Sequence, residues 1–226
     1  MTREEMIAAE AGLELLRDES GLYLKKDELI VRGDFTKMIP RLKVSNLNGE
    51  LLVKAARIKE EKKEYLAIDA TAGMGEDSIL LAAAGFRVLM YEYNPVICAL
   101  LQDACDRAKE VPELAAVVSR MEIVNKDSIE ALKGLNEAPD VVYLDPMFPQ
   151  RQKSGLIKKK FQLLQKLEKP CGEDEGEQLL LAALGTKAHK VVIKRPLKGP
   201  YLAGIKPGFS IEGKAIRYDC IVQNVM

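Results

Sequence analysis

Residues 67–85 read AIDATAGMGEDSILLAAAG, in which an apolar run ends at Asp69, glycines follow at Gly73 and Gly75, and a second apolar run begins at once. The first run is typical of a buried strand and the second of a helix. Glycines at such a junction permit a sharp turn and let backbone N–H groups approach a bound molecule. The stretch therefore predicts a ligand-binding loop, although a plain strand-to-helix turn would use the same residues.

Short β-rich runs alternate with helical patterns from Tyr65 onward. The predicted strands are YLAIDA (65–70), RVLMYE (87–92), MEIVNKD (121–127), VVYLDP (141–146), KVVIKRP (190–196) and KAIRYDCIVQ (214–223), with helices expected over about 76–84, over about 95–109 and near 129. Near-continuous apolar runs indicate strands that are covered on both faces. The pattern predicts a doubly wound α/β domain over residues 65–226, with ligands at the carboxyl ends of the strands.

Residues 1–64 follow a different pattern, which predicts a small α+β appendage. We expect a helix, one strand in ELIVR (28–32), a turn at Gly33, and a second helix after Asn48 and Gly49. Further along, the acidic segment KPCGEDEGEQ (169–178) predicts a solvated loop that precedes the helix QLLLAAL (178–184).

The charges balance over the whole chain but not along it. The 34 basic and 34 acidic residues include 15 basic and 7 acidic residues after residue 150, so the last third is basic. The four cysteines form no C-x-x-C pair and the single His189 has no Cys or His nearby, so we expect no metal. The absence of a signal-like segment or a long apolar run predicts a cytoplasmic protein with no membrane partner.

Acidic residues end three successive predicted strands: Asp69, Glu92, and Asp127 with Ser128 next to it. Glu92 can accept hydrogen bonds from ribose hydroxyls, and Asp127 lies where an adenine edge would bind. Ser78 stands where a dinucleotide-binding loop has its third glycine. The arrangement resembles the fold of S-adenosylmethionine (SAM)-dependent methyltransferases, a Rossmann-like sheet whose first loop reads acid-x-x-x-Gly-x-Gly.

The loop DPMF (145–148) follows the fourth predicted strand. It resembles the [ND]-P-P-[FYW] loop of methyltransferases that modify exocyclic amines, with Met147 in place of the second proline. The amine of an aromatic ring is a poor nucleophile, so a catalyst must hold its N–H groups. Asp145 can accept those hydrogen bonds, Pro146 fixes the backbone and Phe148 can stack on the base. We therefore predict these three residues as catalytic.

A base can react only when it is out of its stack, so the enzyme must also hold the surrounding backbone. Lys and Arg side chains follow the catalytic loop and a later strand, and two more lie in the front segment. The predicted RNA-binding residues are Arg151, Lys153, Lys158, Lys159, Lys160, Lys194, Arg195, Lys198, Arg41 and Lys43. A run of lysines is also typical of a solvated helix face.

The order and spacing of DATAGMGEDS, YEYNPVICALLQDACDRA, PDVVYLDPMFPQRQKSGLIKKK, VVIKRP, YLAG and RYDCIV are similar to those of the RsmJ family, bacterial methyltransferases of 16S ribosomal RNA. The resemblance implies methyl transfer from SAM to the N2 amine of one guanosine, on 16S rRNA or the small ribosomal subunit. The resemblance implies cofactor contacts at Glu76, Asp77, Glu92, Tyr93, Asp127, Ser128 and Asp145, and the glycine loop adds Asp69, Thr71, Gly73 and Gly75 as predicted cofactor-binding residues. Glu76 stands where the family has Arg.

Three alternatives stay open on the residues alone. A nicotinamide-dependent oxidoreductase would also use Glu92, but Ser78 and the lack of a catalytic His, Lys or Tyr constellation argue against it. A non-catalytic RNA-binding module on the same fold conflicts with the intact Asp145 and Phe148. An amino-methyltransferase acting on DNA or on another RNA would use the same loop.

Overall fold

The computed structural model describes residues 1–60, 62–146, 163–167 and 173–223. Its first elements are a helix and a three-stranded antiparallel sheet: α1 (Arg3–Glu10), β1 (Glu14–Asp18), β2 (Gly21–Lys26) and β3 (Leu29–Val31). α1 begins where the Thr2 hydroxyl accepts the Glu5 N–H and the Glu5 carboxylate accepts the Thr2 N–H. Leu24 and Val31 of the small sheet are buried in one apolar cluster with Leu100 of a later helix.

Residues 35–56 form four short helical segments that connect the small sheet to the main one. They are a 3₁₀ turn (Phe35–Met38), α2 (Ile39–Leu42), α3 (Val44–Leu47) and α4 (Leu51–Ala56). Leu52 and Ala55 of α4 are buried in one cluster with the main sheet. Lys190 Nζ donates to the carbonyls of Ala55 at 2.9 Å and Arg57 at 2.7 Å, which satisfies the end of α4. The division of the chain after residue 64 stays a prediction.

A seven-stranded mixed sheet forms the centre of the fold. Its strands are β4 (Tyr65–Asp69), β5 (Phe86–Tyr91), β6 (Met121–Val124), β7 (Val141–Leu144), β8 (Lys190–Pro196), β9 (Phe209–Glu212) and β10 (Ile216–Val222). They lie in the order β6-β5-β4-β7-β8-β10-β9, and β10 runs antiparallel to both of its neighbours. The other pairings are parallel, so the loops after β4 to β7 meet at one edge of the sheet.

In the described part of the chain, five helices that follow β4 pack around the sheet: α5 (Glu76–Ala83), α6 (Pro95–Lys109), α7 (Pro112–Val118), α8 (Ser128–Lys133) and α9 (Glu173–Gly185). Neighbouring residues of a strand point to opposite faces, and here both faces are apolar. Val141 and Tyr143 of β7 are buried in the cluster under α5, while Val142 and Leu144 are buried in the cluster under α8 and α9. Since each such side chain contributes about 1.5–3 kcal/mol when buried, both layers stabilise the sheet. The predicted doubly wound α/β class is confirmed.

Four features differ from the sequence predictions. The front segment contains β1 and β2 in addition to the strand predicted in ELIVR, and neither α7 nor β9 was expected. The prediction of a loop over 169–178 is wrong from residue 173 onward, where α9 begins. Acidic residues are favourable in the first turn of a helix because the helix dipole is positive there, so this charged segment starts a helix.

The described residues include neither a candidate membrane-spanning helix nor a candidate metal-binding cluster. No helix among them has both the length and the apolar character needed to cross a membrane. They also contain no cluster of three or more His, Cys, Asp or Glu side chains arranged to hold a metal ion.

Candidate active site at the strand ends

The glycine-containing loop joins β4 to α5 at the edge where the parallel strands end. Gly73 and Gly75 have φ angles of +51° and +76°, values that side chains with a Cβ disfavour. Gly75 also lies against the core, because a Cβ at this position would be 2.6 Å from Leu101 Cδ1 and 3.1 Å from Phe35 Cζ. The two glycines therefore allow the chain to turn at once from strand into helix and to keep its backbone close to the core.

Asp69 lies beneath this loop and holds it. One carboxylate oxygen accepts the Thr71 N–H at 3.0 Å, and the other accepts the Ser78 hydroxyl at 2.6 Å. The side chain is buried, and burial raises its pKa to about 7, with opposing effects from Ser78 and Thr71. Asp69 thus fixes both ends of the turn from inside.

Glu92 connects the loop after β5 to the glycine loop. Its Oε2 accepts the Gly73 N–H at 3.0 Å and its Oε1 accepts the Asn94 N–H at 2.8 Å. The residue is only 7% exposed, yet it borders an open cleft. Tyr93 follows it with its ring partly exposed, and Asn125 Nδ2 donates to the Glu92 carbonyl at 2.8 Å. Glu92 therefore borders the cleft with its carboxylate held by backbone N–H groups of two loops.

Asp127 and Ser128 lie at the third strand end and border the same cleft. Asp127 Oδ1 accepts the Glu130 N–H at 3.1 Å and so caps α8. This cap orients the first turn of α8, which carries Ser128 and Ile129 to the cleft wall.

Asp145 and Pro146 follow β7 directly and complete the edge of the cleft. The Asp145 N–H donates to Thr71 Oγ1 at 2.8 Å, which joins this loop to the glycine loop. The Asp145 side chain is 38% exposed, and its Oδ2 lies 2.9 Å from Lys194 Nζ. Burial raises the pKa of Asp145, whereas the Lys194 ammonium opposes that rise.

The cleft bordered by these loops has a volume of about 790 Å³, part of it open to solvent. Its acidic lining residues are Glu92, Asp127, Asp145 and Glu175, and the lining residues that the structure describes include no Lys, Arg or His. Every charged side chain among these described lining residues is acidic, so a pyrophosphate would be repelled here. SAM has no phosphate, carries a cationic sulfonium and an ammonium, and presents ribose hydroxyls that carboxylates bind, so the lining fits SAM and not a dinucleotide.

The predicted site residues occupy four kinds of position. The cleft wall contains Thr71, Gly73, Glu92, Tyr93, Asp127, Ser128, Asp145 and Pro146. Asp69 and Gly75 lie behind it, and Glu76 is exposed at the start of α5. Asp77 is directed to Lys194, with its Oδ2 at 2.7 Å from that ammonium. The sequence did not single out Glu175, whose segment was assigned to a loop, or Leu179 of the predicted helix, although both line the cleft from α9.

The predicted RNA-binding residues are also spread over different environments. Lys43 and Lys198 are exposed, and Arg41 is exposed while its guanidinium pairs with both Glu50 oxygens at 2.8 Å. Arg195 is 2% exposed and its Nε donates to the Pro200 carbonyl at 2.9 Å. Lys194 is partly buried and lies next to Asp77 and Asp145. Five predicted contacts lie outside the described residues, as does Phe148 of the catalytic loop: Arg151, Lys153, Lys158, Lys159 and Lys160.

Comparison with known proteins identifies the family. The family model for "SAM-dependent methyltransferase" matches residues 3–223. The ribosomal RNA small subunit methyltransferase J of Pseudomonas aeruginosa is 42% identical over 193 residues, which cover 84% of this chain and 72% of that protein. The protein of the same name from Marinobacter nauticus is 40% identical over 215 residues, covering 92% and 77%. This chain belongs to the ribosomal RNA small subunit methyltransferase J family.

Membership of this family makes the protein a SAM-dependent methyltransferase, and the resemblance inferred from the sequence is confirmed. A solved SAM-dependent methyltransferase from Neisseria gonorrhoeae superposes with a TM-score of 0.75 at 29% identity, covering 94% of this chain and 83% of that one. The rRNA methyltransferase aviRa from Streptomyces viridochromogenes superposes with a TM-score of 0.52 at 15% identity, covering 78% and 84%, and shares the fold. SAM is the cofactor of the family, as the cleft lining also indicates.

Proposed function

We propose that this enzyme transfers a methyl group from SAM to the exocyclic N2 amine of a guanosine in 16S rRNA. The name of the curated relatives supports the choice of small-subunit rRNA. The observation that carries the amine chemistry is the position of Asp145, whose carboxylate lies at the end of β7 on the edge of the cofactor cleft. An enzyme with this substrate would act in the cytoplasm, where ribosomal subunits are assembled and used.

SAM supplies an electrophilic methyl group on its sulfonium. The lone pair of a guanine amine is delocalised into the ring, so the protein must orient that amine and favour the loss of its proton. Asp145 Oδ2 is bound by Lys194, and we assign Oδ1 to accept an N–H of the amine. Thr71 holds the Asp145 backbone from the glycine loop, which keeps the acceptor next to the cofactor cleft. Pro146 restricts the backbone immediately after the acceptor.

The test is methyl transfer from labelled SAM to three substrates: small ribosomal subunits, naked 16S rRNA and duplex DNA, each prepared from cells that lack this protein. The position of the label is then mapped by nuclease digestion and mass spectrometry. Label on the N2 amine of one guanosine supports the proposal, and comparison of subunits with naked RNA identifies the assembly state that is recognised. Label on DNA alone, or on an adenine or cytosine amine, would overturn the substrate while leaving the amine chemistry.

Asp145→Asn tests the role of the acceptor in the same assay. An amide is a weaker acceptor and takes no proton, so we expect turnover to fall by about 10²–10⁴-fold with SAM affinity retained. Asp140→Asn is the matched control, because Asp140 is a buried acid that accepts the Leu66 N–H at 2.8 Å outside the cleft. Near-normal turnover of the Asp145 variant would remove this residue from the mechanism.

A further inference from the structure

Lys194 has a different environment from the surface lysines with which the sequence grouped it. Its side chain, on β8, is 24% exposed, and its Nζ lies 2.7 Å from Asp77 Oδ2 and 2.9 Å from Asp145 Oδ2. Its ammonium therefore binds two carboxylates, one on α5 and one in the catalytic loop. These contacts occupy it inside the protein, where it cannot serve as a simple contact to an RNA phosphate.

We propose that Lys194 is a positioning residue for methyl transfer: its ammonium holds the Asp145 carboxylate ionised and oriented toward the substrate amine, with Asp77 as its anchor. The proposal deepens the proposed function and rests on it, since it assigns to Asp145 the contact with the amine. It adds a residue that lies behind the cleft wall and acts only through Asp145.

The hydrogen bonds form a continuous chain that fixes the position of the ammonium. Tyr143 Oη, on β7, donates to Asp77 Oδ2 at 2.6 Å, and the same oxygen accepts from Lys194. Tyr143 is 1% exposed and held in the core, so the anchor has little freedom. Because β7, α5 and β8 each supply one member, Asp145 is located by rigid elements and not by its loop alone.

The charges around these hydrogen bonds explain why a cation is needed next to Asp145. Three acids from three elements come together here, namely Asp69, Asp77 and Asp145, while Tyr143, Tyr218 and Arg41 also face the group. Burial and the neighbouring Asp77 both raise the pKa of Asp145, and Lys194 is the cation that lowers it. A protonated Asp145 would be a weaker acceptor for the substrate N–H, so loss of Lys194 should impair catalysis through Asp145.

The experiment compares Lys194→Met and Lys194→Arg with the unchanged enzyme. For Lys194→Met we expect kcat at neutral pH to fall by about 10- to 100-fold, as for the loss of one charged hydrogen bond. The acid limb of the kcat profile should move to higher pH, because the pKa of Asp145 rises when the cation is lost. SAM affinity, measured by calorimetry, should change by less than about three-fold, since Lys194 does not line the cleft. Lys194→Arg keeps the charge and should restore part of kcat and the original acid limb.

Lys190→Met is the control for a purely structural effect. Lys190 is a buried lysine on the same strand, but it binds the carbonyls of Ala55 and Arg57. Its loss should lower thermal stability without moving the acid limb. An equal shift in this control, or an unmoved acid limb in Lys194→Met, would overturn the proposal.

A substrate-free measurement separates this proposal from the proposed function. The carboxyl ¹³C signal of Asp145, assigned by comparison with Asp145→Asn, can be titrated in the unchanged protein and in Lys194→Met. A higher titration midpoint in the variant supports the role of Lys194 even if 16S rRNA is not methylated. An identical midpoint would overturn it even if the rRNA is methylated.

Discussion

Replacing Gly75 with alanine should destabilise the protein substantially more than the same change at Gly73. Both glycines have positive φ, which costs alanine about 1–2 kcal/mol. At Gly75 the new Cβ would also be 2.6 Å from Leu101 Cδ1 and 3.1 Å from the Phe35 ring, and both of these side chains are buried. Overpacking of this kind costs about 1–3 kcal/mol more. At Gly73 the nearest atom is the Thr71 oxygen at 4.0 Å, so only the backbone cost applies.

We therefore expect Gly75→Ala to lower the free energy of unfolding by about 2–5 kcal/mol and Gly73→Ala by about 1–2 kcal/mol. For a chain of this size each kcal/mol lowers the melting temperature by about 2–4 °C. The melting temperature should therefore fall by roughly 4–20 °C for Gly75→Ala and by roughly 2–8 °C for Gly73→Ala. Urea unfolding followed by circular dichroism measures the free energies, and thermal scans measure the midpoints. Equal losses for the two variants would refute the argument that the loop is pressed against the core at Gly75.

Three further predictions concern the cleft and the surface. Glu92→Gln should weaken SAM binding at least about ten-fold, because an amide can no longer accept both N–H groups that order the loops; unchanged affinity in calorimetry would contradict this. Folding raises the pKa of Asp69 from 3.8 to about 7. Between these two pH values the unfolded chain has released the proton and the folded protein still holds it, so the folded protein loses stability as pH rises through this window. Asp69→Asn should therefore gain stability relative to the unchanged protein across that window, by a few kcal/mol in pH-dependent unfolding, and a constant difference would exclude the linkage. Replacing exposed Lys43 and Lys198 by Gln should weaken RNA binding and reduce the slope of log K against log salt by about 0.7 per lost contact, whereas an unchanged slope would remove them from the interface.

The parts of the fold that the sequence predicted are those encoded locally. The strand ending at Asp69, the turn through Gly73 and Gly75 and the helix after it occupy one continuous stretch, so the pattern specifies them without distant partners. The acids at the strand ends could likewise be placed together, because the ends of parallel strands share one edge of a sheet. Glu92 and Asp127 lie at that edge as expected.

The parts that the sequence could not predict depend on contacts between distant residues. Lys194 and Asp77 are 117 positions apart, and no local pattern distinguishes a lysine that pairs with a half-buried acid from one on the surface. Arg195 differs in that its carbonyl partner, Pro200, is only five positions away, yet no residue pattern around it predicts its burial. The start of α9 was missed for another reason: acidic residues favour both loops and first helical turns, and packing of Leu179 and Leu180 into the core decides between the two.

The position of β10 has a consequence for synthesis on the ribosome. This strand follows all the others in the described chain, yet it lies between β8 and β9 and supplies the only described strand partner of β9. A nascent chain that has emerged from the ribosome only up to about residue 212 therefore exposes an unpaired edge of β8. Such edges pair readily with other chains. Nascent chains arrested before residue 216 should aggregate, whereas chains extended past residue 222 can close the sheet and stay dispersed.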